Sequence, residues 1–177
     1  MDVGSQPTLL DMKIADGVKP ALIQPTKQGS LYVLDRRDGT PIVPIREVPA
    51  PTGAVEGDHT APTQARSDLN LLPPPLDEKA MWGATPFDQM LCRIQFKELR
   101  YEGQYTPPSV QGSLIYPGNV GVFNWGSVSL DPVRQLLFTS PNYMAFVSKL
   151  VPRAEVAAGS KRCLLYTSDA ADDTPCV

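Results

Sequence analysis

The sequence predicts an all-β chain of short antiparallel strands, interrupted by one long proline-rich insertion and one short helix. Three observations point there. Strand-like runs recur at roughly ten-residue intervals with turn residues between them. Thirteen glycines and 19 prolines in 177 residues leave little uninterrupted chain for a helical bundle or coiled coil. Apolar residues follow a convincing helical period in one place, residues 85–101.

Taken in order, Met1 to Leu10 is polar and turn-rich and gives no clear element. Ala21-Leu22-Ile23 is a short apolar run, ended by Gln24-Pro25-Thr26-Lys27-Gln28-Gly29. Ser30 to Asp35 is a better strand, rich in aromatic and branched residues. Arg36-Arg37-Asp38-Gly39 follows as a tight turn, since Asp-Gly favours the backbone such turns need. Ile42-Val43 resumes the extended pattern. The unit reads as a meander with Lys27 in its first turn. On residue type alone, Lys27 is a solvated loop lysine.

Residues 44–84 form the insertion. Pro44, Pro49, Pro51, Pro62 and Pro73 to Pro75 fix the backbone and remove donors, so no continuous ladder is expected there. A loop this long within one domain is either a linker or an ordered functional segment. In residues 85–101, Thr85 caps a helix, Pro86 suits its first position and Asp88 sits three residues on. Phe87, Met90, Leu91 and Ile94 make its apolar stripe, and Gly103 closes the element. Cys92 lies off the stripe and reads as a small, half-buried side chain.

Short strands return from Gly112. Ser113 to Tyr116, Val120 to Gly126, Ser127 to Leu130, Arg134 to Thr139 and Met144 to Val151 alternate with turns at Pro117-Gly118-Asn119 and Asp131-Pro132. A strand, aspartate turn, strand unit occurs around both Asp35 and Asp131. That repetition suits blades of a β-propeller, each a four-stranded sheet of about 40–45 residues.

Composition excludes several classes. A net charge of −3 offers no basic field for nucleic acid. No apolar run is long enough to span a bilayer, and no signal peptide is visible. Cys92, Cys163, Cys176 and the single His59 have no metal-ligand spacing, so no metal site is expected. Asp35, Asp38 and Asp131 read as turn residues. The tail from Cys163 to Asp172 resembles a peptide known from translated sequencing-adapter DNA. Residues 163–177 are therefore read as non-native and set apart from residues 1–162.

A family resemblance rests on several stretches in order. Leu31 to Gly39 resembles the strand–turn–strand of quinoprotein dehydrogenases. More particular are Met81-Trp82-Gly83-Ala84-Thr85-Pro86-Phe87-Asp88-Gln89, Arg100-Tyr101-Glu102-Gly103, Tyr105-Thr106-Pro107-Pro108-Ser109 and Tyr116-Pro117-Gly118-Asn119. With Asn124-Trp125-Gly126 and Phe146 to Arg153, they resemble membrane-bound glucose dehydrogenases dependent on pyrroloquinoline quinone (PQQ). Quinate/shikimate dehydrogenases share these stretches. The resemblance runs from Met1 to about Lys161.

The resemblance implies an eight-bladed propeller on the periplasmic face of the bacterial inner membrane, held by an N-terminal anchor absent here. Eight blades need on the order of 300 residues or more, so this chain is expected to be a fragment with open edges and marginal stability alone. The implied reaction oxidises an aldose at C1 and passes electrons to ubiquinone. Lys27, in Pro25-Thr26-Lys27-Gln28-Gly29, matches a lysine that contacts a PQQ quinone oxygen. Asn124-Trp125 matches a step beside PQQ. Ser140 stands where the family often has an asparagine before Pro141, offering one hydroxyl in place of an amide; Asn142 is two residues on. The catalytic aspartate would fall just before Met1, with Asp2 matching a second aspartate, so the fragment alone is expected to be inactive. The divalent cation, Mg²⁺ or Ca²⁺, is implied to bind mainly outside this segment. Oxidation of quinate or shikimate, and a non-catalytic propeller scaffold, are the competing readings.

Overall fold

The computed structural model describes residues 3–155. Asp2 and the tail with Cys163 and Cys176 lie outside the described residues. Nine strands and one α-helix are described: β1 Thr8–Ile14, β2 Gly17–Pro25, β3 Leu31–Asp35, β4 Ile45–Pro49, β5 Thr63–Ser67, α1 Pro86–Glu98, β6 Ser113–Ile115, β7 Ser129–Asp131, β8 Leu136–Phe138 and β9 Phe146–Ser148. The strands form a three-stranded sheet β1-β2-β3 and three two-stranded ones, β4-β5, β6-β9 and β7-β8. No sheet among the described residues closes on itself. No helix there is long and apolar enough to cross a membrane.

The first sheet is the core. Residues alternate in and out along β2 and β3, and Ala21, Ile23, Leu31 and Val33 are buried from the same face. Leu10 from β1 joins them, with Val122, Phe123 and Val128 arriving from the far end of the chain. β1 was not expected. Its apolar residues are partly spent on the exposed face, where Leu9 points outward, so little alternation shows in the sequence. The strand forms because the two-residue loop Ala15-Asp16, followed by Gly17 at φ +120°, folds it onto β2 from Ile14↔Gly17 to Thr8↔Ile23.

The expected strand at Ile42-Val43 is reduced to a single bridge, Leu34↔Pro41. Pro41 and Pro44 lack amide hydrogens, and the Ile42 and Val43 amides both donate to the Val33 carbonyl, at 2.8 and 3.3 Å. The aspartates at the turns serve the turns. Asp35 accepts from the Arg37 amide and guanidinium at 2.6–3.0 Å, and Asp131 accepts from the Val133 and Arg134 amides.

The proline-rich stretch does hold a ladder, contrary to expectation. β4 pairs with β5 over five residues, from Ile45↔Ser67 to Pro49↔Thr63. Its prolines stand at the strand ends rather than inside, which is where a sheet tolerates them. Arg46 and Asp68 add a bidentate pair at 2.7–2.8 Å.

Helix α1 has the expected start. Thr85 Oγ1 accepts from the Asp88 amide and Asp88 Oδ2 accepts from the Thr85 amide, a reciprocal cap. It ends at Glu98, three residues before the expected boundary. Arg100 is pulled into a bridge with Ser113, its amide donating to Gly112 and its carbonyl accepting from Leu114. Phe87, Met90, Leu91 and Ile94 are exposed in the structure. Residues 120–126, expected to be extended strand, form an irregular loop, and β6 pairs with β9 across the β7-β8 hairpin.

Candidate functional site

Lys27 sits at the tip of the β2-β3 hairpin. The turn closes on itself: the Thr26 amide and Oγ1 both donate to the Ser30 carbonyl, and the Gly29 amide donates to Thr26. Gly29 takes φ +99°, a conformation few side chains accept. A hairpin tip is ordinarily wet, yet Lys27 is only 5% exposed. Three other chain segments converge on it. The Leu71 amide donates to the Gly29 carbonyl, Gln104 Nε2 donates to the Gln28 carbonyl at 2.8 Å, and the Val122 amide donates to the Lys27 carbonyl at 2.7 Å. The solvated loop lysine expected from residue type is therefore corrected. Long-range contacts, invisible in a local window, bury it.

The loop that covers Lys27 also forms one wall of a cavity of about 440 Å³. Gly121, Val122, Phe123 and Asn124 line it on that side; Ser127, Ser129, Thr139, Ser140 and Asn142 supply hydroxyls and an amide from the other elements. No lining residue carries a formal charge. The two sides are joined through the backbone, since the Asn142 amide donates to the Val122 carbonyl at 2.9 Å. Two hydrogen bonds thus run in series from the Lys27 carbonyl through Val122 to the segment holding Ser140 and Asn142.

Asn124 is held by its carbonyl, which accepts from Ser5 Oγ at 2.9 Å and from the Ser127 amide at 2.8 Å. Its side-chain Oδ1 is buried and has no hydrogen-bond partner among the described residues. Leaving such an oxygen unmatched costs about 1–3 kcal/mol, so a donor arriving from a ligand would be favoured there.

Of the residues singled out from sequence, Asn124 and Ser140 line the cavity; Lys27 is not part of the lining and meets the wall through its carbonyl, which accepts from the Val122 amide. Trp125 does not join them: the residue is 68% exposed and lies outside the cavity lining. Ser140 lines the cavity but is exposed. Asn142, noted in the sequence as lying two residues beyond Ser140, is in the lining; Gly121 and the three hydroxyls Ser127, Ser129 and Thr139 were not anticipated. Their only sequence signal was the density of small polar residues between 118 and 142, which turns also produce. Among the described residues no cluster of three or more His, Cys, Asp or Glu is placed to hold a metal ion.

Residues 1–172 match the family model described as glucose/ethanol/alcohol dehydrogenase, β-propeller domain, of the PQQ type. A quinoprotein glucose dehydrogenase of Gluconobacter oxydans (strain 621H) is 55% identical over 155 residues, covering 86% of this chain and 19% of the relative. The large subunit of a glycerol dehydrogenase from the same strain is 49% identical, covering 86% of this chain and 21% of the relative. A quinate/shikimate dehydrogenase (quinone) of Acinetobacter baylyi (strain ATCC 33305 / BD413 / ADP1) is 43% identical, covering 78% of this chain and 18% of the relative. The chain thus spans about a fifth of the length of these relatives. No solved structure matches it. The chain belongs to the β-propeller family of PQQ-dependent glucose, ethanol and alcohol dehydrogenases.

Proposed function

We propose that the protein containing this segment oxidises aldose sugars at C1 with PQQ and passes the electrons to ubiquinone, at the periplasmic face of the inner membrane. In this reading the segment contributes part of an eight-bladed ring. The membrane anchor, the catalytic base and the divalent cation, Mg²⁺ or Ca²⁺, are supplied mainly by other parts of the protein. The observation that carries the reading is the burial of Lys27 against a loop whose Asn124 holds an unmatched acceptor.

The residues present fit the cofactor. A cavity of about 440 Å³ lies within the range of small-molecule sites. Asn124 Oδ1 needs a donor, and PQQ carries a pyrrole N–H. Ser129 and Asn142 offer donors for carboxylate and carbonyl oxygens, whereas the Ser127 hydroxyl donates to the Gln6 carbonyl and the Thr139 hydroxyl to the Ser127 carbonyl, leaving those two oxygens as acceptors. When bound, PQQ supplies a two-electron acceptor for the hydride of the substrate carbon.

The chain's own contribution is charge and position. The Lys27 ammonium, a compact charge with three donors, stabilises negative charge on an acceptor oxygen beside it. It acts from a site that admits little water, which strengthens the attraction. Asn124 orients the ring by accepting one hydrogen bond. Ser140 donates a single hydroxyl hydrogen bond where an amide would make two or more contacts.

Oxidation of quinate or shikimate is a second reading, favoured by the 43% identity to a quinate/shikimate dehydrogenase. The test is a full-length enzyme assayed with glucose, glycerol, quinate and shikimate, beside its Lys27→Ala variant. Turnover with glucose, falling by about 10²–10³ in the variant, is the expected result. Wild-type turnover in Lys27→Ala would remove the residue from the mechanism. A protein that binds no PQQ and oxidises none of the four would be the non-catalytic scaffold.

A further inference from the structure

The cavity wall contains a residue with no side chain at the point where it meets Lys27. Gly121 takes φ +78°, and a methyl group built on it would fall 2.5 Å from Lys27 Cβ, 2.6 Å from Cγ and 2.7 Å from Cα. Real Cβ atoms essentially never sit that close to another heavy atom, and the Lys27 Cα cannot swing aside as a side-chain tip can. Only hydrogen at this position lets the loop approach near enough for the Val122 amide to reach the Lys27 carbonyl at 2.7 Å. The loop is braced on its other side too. The Gly121 amide donates to Gly118 at 2.9 Å, and the Val122 carbonyl accepts from Asn142.

We propose that Gly121 is the positioning residue for the Lys27 ammonium: its bare Cα lets the 120–124 loop press on the root of the lysine side chain, fixing where the ammonium points relative to Asn124. This rests on the reading that Lys27 serves the cofactor. It adds that the lysine's aim depends on an atom that is missing from its neighbour. Gly121 presents only backbone to the cavity and has no side-chain group to offer a ligand; it acts through Lys27.

Left-handed strain must be separated from the steric effect. Gly39 provides the control, because it has the same φ of +78° and nothing within 4 Å of an added Cβ. The experiment uses the full-length enzyme in four forms: native, Gly121→Ala, Lys27→Ala and the double variant, with Gly39→Ala alongside. Apo-protein is titrated with PQQ by fluorescence quenching, and kcat and KM are measured on the reconstituted enzymes. The expected result is a PQQ affinity and a kcat each at least tenfold lower in Gly121→Ala, with KM for substrate unchanged and Gly39→Ala within twofold of native. In the Lys27→Ala background, adding Gly121→Ala should change both by less than threefold, because no ammonium remains to be misplaced.

Equal losses from Gly121→Ala in both backgrounds, or none in the native one, would overturn the proposal while leaving Lys27 in place. No effect of Lys27→Ala itself would instead refute the reading beneath it. If Gly121→Ala does not fold, Gly29→Ala presses on the same loop more gently, its Cβ meeting Val122 Cγ2 at 3.1 Å together with Leu72 Cδ2 at 3.1 Å and the Leu71 carbonyl at 3.3 Å. A smaller loss of affinity that vanishes without Lys27 is then expected, and a loss that persists without it overturns the proposal.

Discussion

Removing the Asn124 side chain should weaken cofactor binding without destabilising the empty protein. Asn124 Oδ1 is buried and has no hydrogen-bond partner among the described residues. In the unliganded state that oxygen costs about 1–3 kcal/mol relative to its hydrated form. Asn124→Ala deletes the cost together with the group, offset by the packing lost around a truncated, half-buried side chain. The empty protein should therefore keep its stability to within about 1 kcal/mol, where an asparagine serving the fold would lose more. Bound PQQ gives Oδ1 a donor, and the net worth of such a bond is about 0.5–1.5 kcal/mol. At 1.4 kcal/mol per decade the dissociation constant should rise up to about tenfold. Asn124→Asp should be worse, because it sets a carboxylate facing a polyanionic cofactor in a wall with no lining cation. The assay is fluorescence titration of apo-enzyme with PQQ, paired with denaturant unfolding of the same apo samples. A variant that loses stability while binding PQQ as tightly as native would refute the argument and make Asn124 a structural residue.

Two further expectations concern the scaffold. Glu78 is held at a pKa of about 2, against an ordinary 4.5, by hydrogen bonds from Lys97 and Arg93 that tie the short 3-10 turn Glu78–Ala80 to α1. A depressed carboxyl pKa stabilises the fold above the unfolded value, and that contribution disappears as pH falls from about 4.5 toward 2. The difference in unfolding free energy between native protein and Glu78→Gln should accordingly be present at pH 6 and shrink steadily by pH 2.5; a difference independent of pH would dismiss the pairing. Phe123, 2% exposed beside Val122 in the core of the first sheet, should cost about 3–5 kcal/mol when replaced by alanine, read as a lower denaturant midpoint at constant slope.

Legibility in the sequence followed the range of the interaction. The cap of α1 was readable because Thr85, Pro86 and Asp88 interact within one turn, and the Asp35 turn because its partners lie within five residues. The helix end was not readable. It depends on Arg100 pairing with Ser113, a contact that no window around Glu98 contains. β4 and β5 were missed for a related reason. Proline density argues against a ladder on average, yet the ladder runs between the prolines, and pairing across residues 50–62 has no local signature. The stripe on α1 is legible as a pattern, but periodicity reports which face is apolar and not what lies against it, and that face is exposed here.

The site divides along the same line. Lys27 was chosen through family resemblance, and its own neighbours in sequence argue for a solvated residue. What changes its character is material from residues 71, 104 and 121–122, brought to one hairpin tip by backbone hydrogen bonds from Leu71 and Val122, which any residue but proline could make, and by one side-chain bond from Gln104. Side-chain chemistry therefore carried little of the message. The one residue there whose type is demanded by geometry is glycine, at a place where a methyl group would occupy the volume of the lysine root. A short stretch such as Pro117-Gly118-Asn119-Val120-Gly121 reads as a turn in sequence because glycine signals flexibility. Against Lys27 the second of its glycines does the opposite: by bringing two backbones into contact it removes the freedom of a charged side chain, and rigidity of that kind is what a group stabilising transient charge requires.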